Sequence, residues 1–204
     1  MEKLKTKDML IQKTTLTDTR VRLEPLTQFH LPGIAKAIAD GDLWKIPVTN
    51  VSHPDDLPRF LEVAETAFAA KRELAFATID IASGSVVGST RFRNIEAAHK
   101  RVEIGATFIA RSWQRTHINT EAKYLMLRHA FEDWQFNRVE FMTDVLNTPS
   151  RNAIMRIGGQ EEGVLRSHMV MRDGRIRDSV LFSITVAEWP RVKGALEQKL
   201  GQDR

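Results

Sequence analysis

The residues best suited to chemistry lie between Arg101 and Phe131, in the run RVEIGATFIARSWQRTHINTEAKYLMLRHAF. A strand pattern leads through a polar loop into a helix whose first turn holds Asn119 and Thr120, both of them capping residue types. The first N–H groups of a helix lack partners within it, and the helix dipole adds about half a positive charge at that end. Such a junction can hold a phosphate, and it equally describes a capped helix with no ligand. Arg111 and Arg115 are the neighbouring cations, each suited to a phosphate contact or to a solvated loop.

A second group follows at Asn147 and Ser150, whose three-residue spacing puts them on one face of a short helix beside Arg151 and Ile154. Helix capping is the competing reading of both. Glu103 stands on the strand before the polar loop, and alternation gives it the face of Gly105 and Thr107. It is either a general base or a salt-bridged strand carboxylate. Trp44 in an irregular loop either lines a pocket or covers the core. Arg177-Asp178 reads as an ion pair at a strand start. There is no cysteine, which removes disulfides, thiolate zinc sites and a cysteine nucleophile. His30, His53, His99, His129 and His168 lack metal-like spacing, so no metal is expected.

The elements that must position these residues read as β-α-α-β-β-β-α-β-α-β-β-α. RVRLEPL is a strand, Leu31 to Ala39 a helix stopped by Gly41, and Pro58 opens a second helix to about Lys71. Glu73 to Ala82 and Val86 to Asn94 form a hairpin around Ser83-Gly84-Ser85, and Arg101 to Ala110 is a third strand. The period then changes to 3.6: Ala122, Leu125, Met126, His129 and Ala130 make one stripe, widened by Leu127, Phe131 and Trp134. Arg138 to Leu146 is a strand, Thr148 to Ile157 a helix, and Gly163 to Met171 and Arg177 to Val186 are strands. Residues 187–200 make the last helix. Hairpins with one strand-helix-strand unit predict an α+β fold, its mixed, mostly antiparallel central sheet of about seven strands flanked by helices. Residues 1–17 read as a loose arm or short edge element, and 18–204 as one domain.

The chain has 204 residues, 42% hydrophobic and 27% charged, which suits one globular core. Its 30 Lys+Arg against 26 Asp+Glu give +4, scattered without blocks, so a pI near 9.5 hints at anionic ligands without demanding nucleic acid. No apolar run suits a membrane span or a signal peptide, and the expected compartment is the cytosol.

From Arg20 to about Trp189 the chain resembles the GCN5-related N-acetyltransferases, in the branch of the ribosomal-protein N-terminal acetyltransferases. VRLEPL, IGATFIARSWQRTHINTEAK, RVEFMTDVLNTPSRNAIMRIGG, EEGVLR and RDSVLFSI carry the resemblance in family order. It implies the acyl-CoA N-acyltransferase fold, acetyl-CoA as cosubstrate, a primary amine as acceptor, and a homodimer as an assembly open to the chain. Nucleic acid and membrane are not expected partners. It further implies that the loop Gln114, Arg115, Thr116, His117, Ile118, Asn119 and Thr120 wraps the pyrophosphate with N–H groups. His117 and Asn119 replace the small residues usual there, and His117 is either a surface loop imidazole or a groove-narrowing donor.

The resemblance also implies that strand 101–110 splays from strand 138–146 to admit pantetheine. Main-chain groups of Phe108, Ile109 and Ala110 would pair with it, and an N–H near Ile109 would face the thioester oxygen. Ile154 stands where many relatives have a tyrosine acid, and Tyr124, the only tyrosine, lies on the buried helix. Ser150 is the substitute donor to the leaving sulfur, Asn147 its companion, and Arg151 a candidate for the 3′-phosphate. Glu103 matches the base and Trp44 the acceptor pocket. Near pH 7 an α-amine (pKa about 7.7–8) is roughly a tenth neutral, against fewer than about one in a thousand for a lysine amine, so an N-terminal acceptor asks less of the base. Direct attack is expected, since neither a cysteine nor a G-x-S-x-G elbow is present. The alternatives are a CoA-binding protein of the same fold without turnover, and a basic RNA-associated domain.

Overall fold

Alternation in Val21–Pro25 buries Val21 and Leu23 and leaves Arg22 and Glu24 half-buried, as in a strand with one covered face. In the computed structural model, which describes residues 11–202, this is strand β2. It pairs antiparallel with a two-residue edge strand β1, Leu16–Thr17, and with β3, Leu74–Asp80. Between them lie helices α1, Leu31–Ala39, and α2, Leu57–Ala69, each with a proline in its first turn, where the missing N–H costs nothing. The chain continues through β4 (Val86–Glu96), β5 (Arg101–Ile109), α3 (His117–Arg128), β6 (Arg138–Asp144), α4 (Thr148–Arg156), β7 (Gln160–Val170), β8 (Ile176–Thr185) and α5 (Trp189–Gln202).

The sheet has eight strands in the order β1-β2-β3-β4-β5-β6-β8-β7, all neighbours antiparallel except β5 and β6. The mixed, mostly antiparallel sheet follows the sequence reading, with one more strand than the seven expected. The extra strand is Leu16–Thr17, the short edge element that was one of the two readings of this segment, held in place because Leu16 is buried in the core. Residues 1–10 of that segment lie outside the described residues. Strand β6 stops at Asp144 and not at Leu146, because the Asp144 carboxylate accepts the Leu146 N–H at 2.9 Å and turns the chain.

Each sheet face carries its own core. The smaller, under α1 and α2, joins Ile34, Ile38, Leu57, Ala77 and Phe108. The larger joins Ile104, Ile109, Leu125, Phe141, Ile154 and Val192 under α3, α4 and α5. Strand β3 is buried at every position, as a strand covered on both faces must be. Helix α3 is buried from Thr120 to Leu127, which explains its broad apolar stripe, and it runs on as a π-helical turn, His129–Asp133. Among the described residues no helix is long and apolar enough to cross a membrane.

Candidate active site

The parallel pairing of β5 with β6 covers only Arg101 to Glu103 against Arg138 to Glu140, although β5 continues to Ile109 and β6 to Asp144. Beyond Glu103 the strands part, as the family resemblance implied. The cause lies on the other side of β5. Its register with β4 jumps from Arg91↔Gly105 to Ser89↔Phe108, so one β4 residue, Thr90, faces two on β5. Ala106 takes up the excess at φ +47. A bulge of this kind bends its strand and sharpens the local twist, which carries the end of β5 away from β6.

The bulge also overturns one expectation. Glu103 and Gly105 face α2 together with Arg91 and Arg93, but Thr107 is turned to the α3 face, where its Oγ1 lies 2.8 Å from that of Thr90. An inserted residue breaks strict alternation, so Glu103 and Thr107 lie on opposite faces. Glu103 is only 5% exposed. Its Oε2 accepts from Asn94 Nδ2 at 2.7 Å, and its Oε1 lies 3.5 Å from Arg93 Nη1. Gly105 makes room for it, since a Cβ there would come within 2.6 Å of Glu103 Oε1.

At the far end of β5, the Ala110 N–H is spent on Val87 O at 2.8 Å, which removes it from the groups expected to meet pantetheine. Phe108 shares that orientation by alternation and packs its ring 6.4 Å from Phe60. Ile109 points its main chain the other way, into the splay, and Gln114 Nε2 already donates to the Ile109 carbonyl at 2.9 Å. The Ile109 N–H lies on the same open edge.

Between β5 and α3, Asp40 holds the chain: its carbonyl accepts the Arg111 N–H, and its Oδ2 accepts the Ser112 N–H and hydroxyl. Arg115 then adopts φ +64 and redirects the backbone into α3. The cap is Thr116, and not Asn119 or Thr120 as expected: its extended backbone precedes the helix, and its Oγ1 accepts from Ile118 N at 3.4 Å. Ile118 and Thr120 are buried, so they can offer a ligand only main-chain groups, while Asn119 is half-buried in the first turn. Arg111 and Arg115 are exposed beside it. The His117 ring is neither a free surface group nor directed into the groove. It is half-buried with Nε2 3.7 Å from Asp80 Oδ1.

On α4, Asn147 is the N-cap, its Oδ1 accepting the Ser150 N–H at 3.1 Å. The guanidinium of Arg151 is tied to Val145 O and Glu161, so a 3′-phosphate would have to compete for it. Ile154 is buried in the larger core, and Tyr124 donates to Glu197 on α5.

Known proteins share both sequence and fold with this chain. The Acetyltransferase (GNAT) domain model matches residues 20–160. The chain belongs to the GNAT acetyltransferase family. A GCN5-related N-acetyltransferase from Brucella melitensis superposes with a TM-score of 0.83 at 31% identity, over 93% of this chain and 86% of that one. RimJ of Mycobacterium smegmatis, solved in complex with CoA-disulfide, superposes with a TM-score of 0.78 at 25% identity, over 92% and 95%. YdaF of Bacillus subtilis, provisionally named a ribosomal N-acetyltransferase, is 33% identical over 52% of this chain, and the match spans 57% of YdaF's own length. GNAT enzymes are acyltransferases that use acetyl-CoA.

Two features of this GNAT chain escaped the sequence reading. One is a clasp between the β7–β8 turn and the loop that follows α1: Arg172 donates to the carbonyls of Trp44 (2.7 Å) and Val51 (3.0 Å), and Arg175 bonds Asp144. Trp44 itself packs on the smaller core with its ring edge-on to His53. The expected pair Arg177-Asp178 does not form: adjacent strand residues face opposite ways, so Arg177 donates to Ser179 Oγ and Asp178 accepts from Ser167 N. The other feature is Lys123, buried on α3 with Nζ bonded to Thr90 and Thr107. Its signal was a lysine three and four residues before Met126 and Leu127 of the helical stripe.

Proposed function

We propose that the protein transfers the acetyl group of acetyl-CoA to a primary amine, either a protein N-terminal α-amine or a small-molecule amine, by direct attack. The observation that carries this reading is the splay of β5 from β6, whose open edge ends at the Thr116-capped start of α3. First-turn amides of α3 and the exposed Arg111 and Arg115 suit the pyrophosphate, and the Ile109 N–H suits the thioester oxygen, where a donor gains strength as charge develops. Glu103, which accepts from Asn94 and lies beside Arg93, takes the proton of the attacking nitrogen. Ser150 and Asn147 border the sulfur, and Trp44 the acceptor. Residues 18–204 act as one N-acetyltransferase domain, in the cytosol and as a homodimer.

Ile154, buried where a tyrosine acid would stand, favours a second reading: a CoA-binding protein without turnover. Calorimetric titration with acetyl-CoA, followed by thiol release with a panel of peptide and small-molecule amines, separates the two. Binding with amine-dependent thiol release supports the enzyme. Binding without release across the panel supports the second reading, and no binding by the folded protein defeats both.

A further inference from the structure

A thioester that loses its acetyl group leaves a thiolate, and a thiol of ordinary pKa (about 8.5) must regain a proton near neutral pH. Neither hydroxyl-bearing candidate suffices as a net source: Tyr124 is turned to α5, and Ser150 would be left an alkoxide. The α3 face of the splay holds a group that titrates. Lys123 Nζ donates to Thr107 Oγ1 at 2.6 Å and to Thr90 Oγ1 at 2.9 Å, and the Met126 sulfur lies 3.6 Å from Thr90 Oγ1. Charged groups on the surrounding elements turn elsewhere: Glu121 to Arg20 and Val21 of β2, Glu197 of α5 to Tyr124, and Arg128 to Thr17. With hydroxyls and no carboxylate to offset burial, the ammonium is pushed down to about 7. Lys123 is only 6% exposed, yet Thr107 is exposed at the bulge, on the open stretch of β5 just before Ile109.

We propose that Lys123, acting through the Thr107 hydroxyl, supplies the proton that the departing CoA thiolate takes up. The inference rests on the acetyl-transfer reading above. As the new C–N bond forms and the C–S bond breaks, Thr107 gives its proton to sulfur and receives one from the Lys123 ammonium. The proton of the attacking amine leaves through Glu103 to water. Lys123, left as a neutral amine, is reprotonated from water through the same exposed hydroxyl, and the balance closes with one amide and one thiol formed. Thr107 is then the catalytic residue on this face, and Lys123 the positioning residue that loads it.

The test compares thiol release from acetyl-CoA, with an amine that the wild type accepts, across pH 6 to 9.5 in Lys123→Met, Thr107→Val and Thr107→Ser. At pH 6.5, Lys123→Met and Thr107→Val should each lose about a hundredfold in kcat with acetyl-CoA binding unchanged, and Thr107→Ser should recover most of it. The deficit should shrink below about tenfold by pH 9.5, where the wild-type lysine is neutral and the thiolate needs no proton. A deficit constant with pH, or a Thr107→Ser as poor as Thr107→Val, overturns the relay and leaves acetyl transfer standing. A wild type inert toward every amine overturns both. Independently, the Lys123 side-chain carbon resonance should titrate near neutral pH; a midpoint near 10 overturns the relay even if the variants are slow.

Discussion

Glu103 and Thr107 are four residues apart on one strand, yet the bulge at Ala106 sends them to opposite faces with opposite electrostatic habits. On the α2 face the charge is shared: Arg91 and Arg93 both reach Glu73, Arg93 also approaches Glu103, and Asn94 completes the carboxylate's shell. On the α3 face the Lys123 ammonium is buried among hydroxyls and a thioether. An uncompensated ammonium gives its proton up readily. One inserted residue thus sets a carboxylate and a buried ammonium on opposite faces of the same strand.

The comparison breaks most sharply at Glu103. Glu103→Gln keeps the shape and the Asn94 contact but cannot accept a proton. With a small alkyl amine of pKa near 10.4, kcat should fall by about 10²–10⁴-fold, and with a peptide α-amine by roughly tenfold, because that amine is already partly neutral at pH 7. Equal losses with both acceptors, measured by thiol release, would show that Glu103 acts through structure and not as a base.

The α3 face makes a claim on stability as well. The folded-state pKa of Lys123 lies near 7, below its value in an unfolded chain, so between about 7 and 10.5 the unfolded state binds more protons and stability rises with pH. Below 7 both states are protonated and the full cost of the buried ammonium is present. Lys123→Met should therefore raise Tm at pH 6, by an amount equivalent to about 2–4 kcal/mol once the two lost hydrogen bonds are set against it, and by little at pH 9.5. A pH-independent difference would mean that the lysine keeps its charge throughout.

Much of this arrangement was legible in the residues, and the part that was not lies in local backbone geometry that side-chain types do not encode. The strand and helix periods gave the element order, the turn residues gave the hairpins, and the polar loop before α3 marked where the open edge of β5 meets a helix N-terminus. Thr107 was assigned to the wrong face because a bulge leaves no mark in GATFI: Ala106 is not a residue type that advertises φ +47. The same slip hid Lys123, whose partners depend on which way Thr107 turns. Thr116 was passed over as the cap in favour of Asn119, since which polar residue first leaves the extended region is decided by the Arg115 turn, at φ +64. Ala110 was counted as open because the pairing of β5 with β4 continues one residue past the strand.

A smaller effect sharpens the comparison at the proposed phosphate end, which would serve both faces equally. Asn119→Asp places a carboxylate in the first turn of α3 without changing side-chain size. An acid there is favourable to the free helix and unfavourable beside a bound pyrophosphate, so affinity for acetyl-CoA should weaken by about tenfold while Tm holds or rises slightly. Both acceptor classes should lose turnover in the same proportion at low acetyl-CoA. A loss that differs between acceptors would place Asn119 on the amine side instead.

The smallest effect belongs to the clasp, which touches the α2 face alone. Arg172 is held by three carbonyls of the loop after α1, those of Trp44, Thr49 and Val51, so Arg172→Ala loosens that loop from the β7–β8 turn, leaving Arg175 on the Pro47 carbonyl and β5 untouched. Exposed hydrogen bonds of this kind contribute only about 1 kcal/mol each, which limits the change in stability. If the loop and Trp44 border the acceptor, KM for the amine should rise about three- to tenfold, with kcat at saturation and acetyl-CoA affinity within about twofold of wild type. The pH dependence of kcat should not move, because the lysine on the opposite face keeps its partners. A variant that lost kcat and its pH dependence together would show that the two faces are coupled through the sheet, and the separation drawn at Ala106 would have to be abandoned.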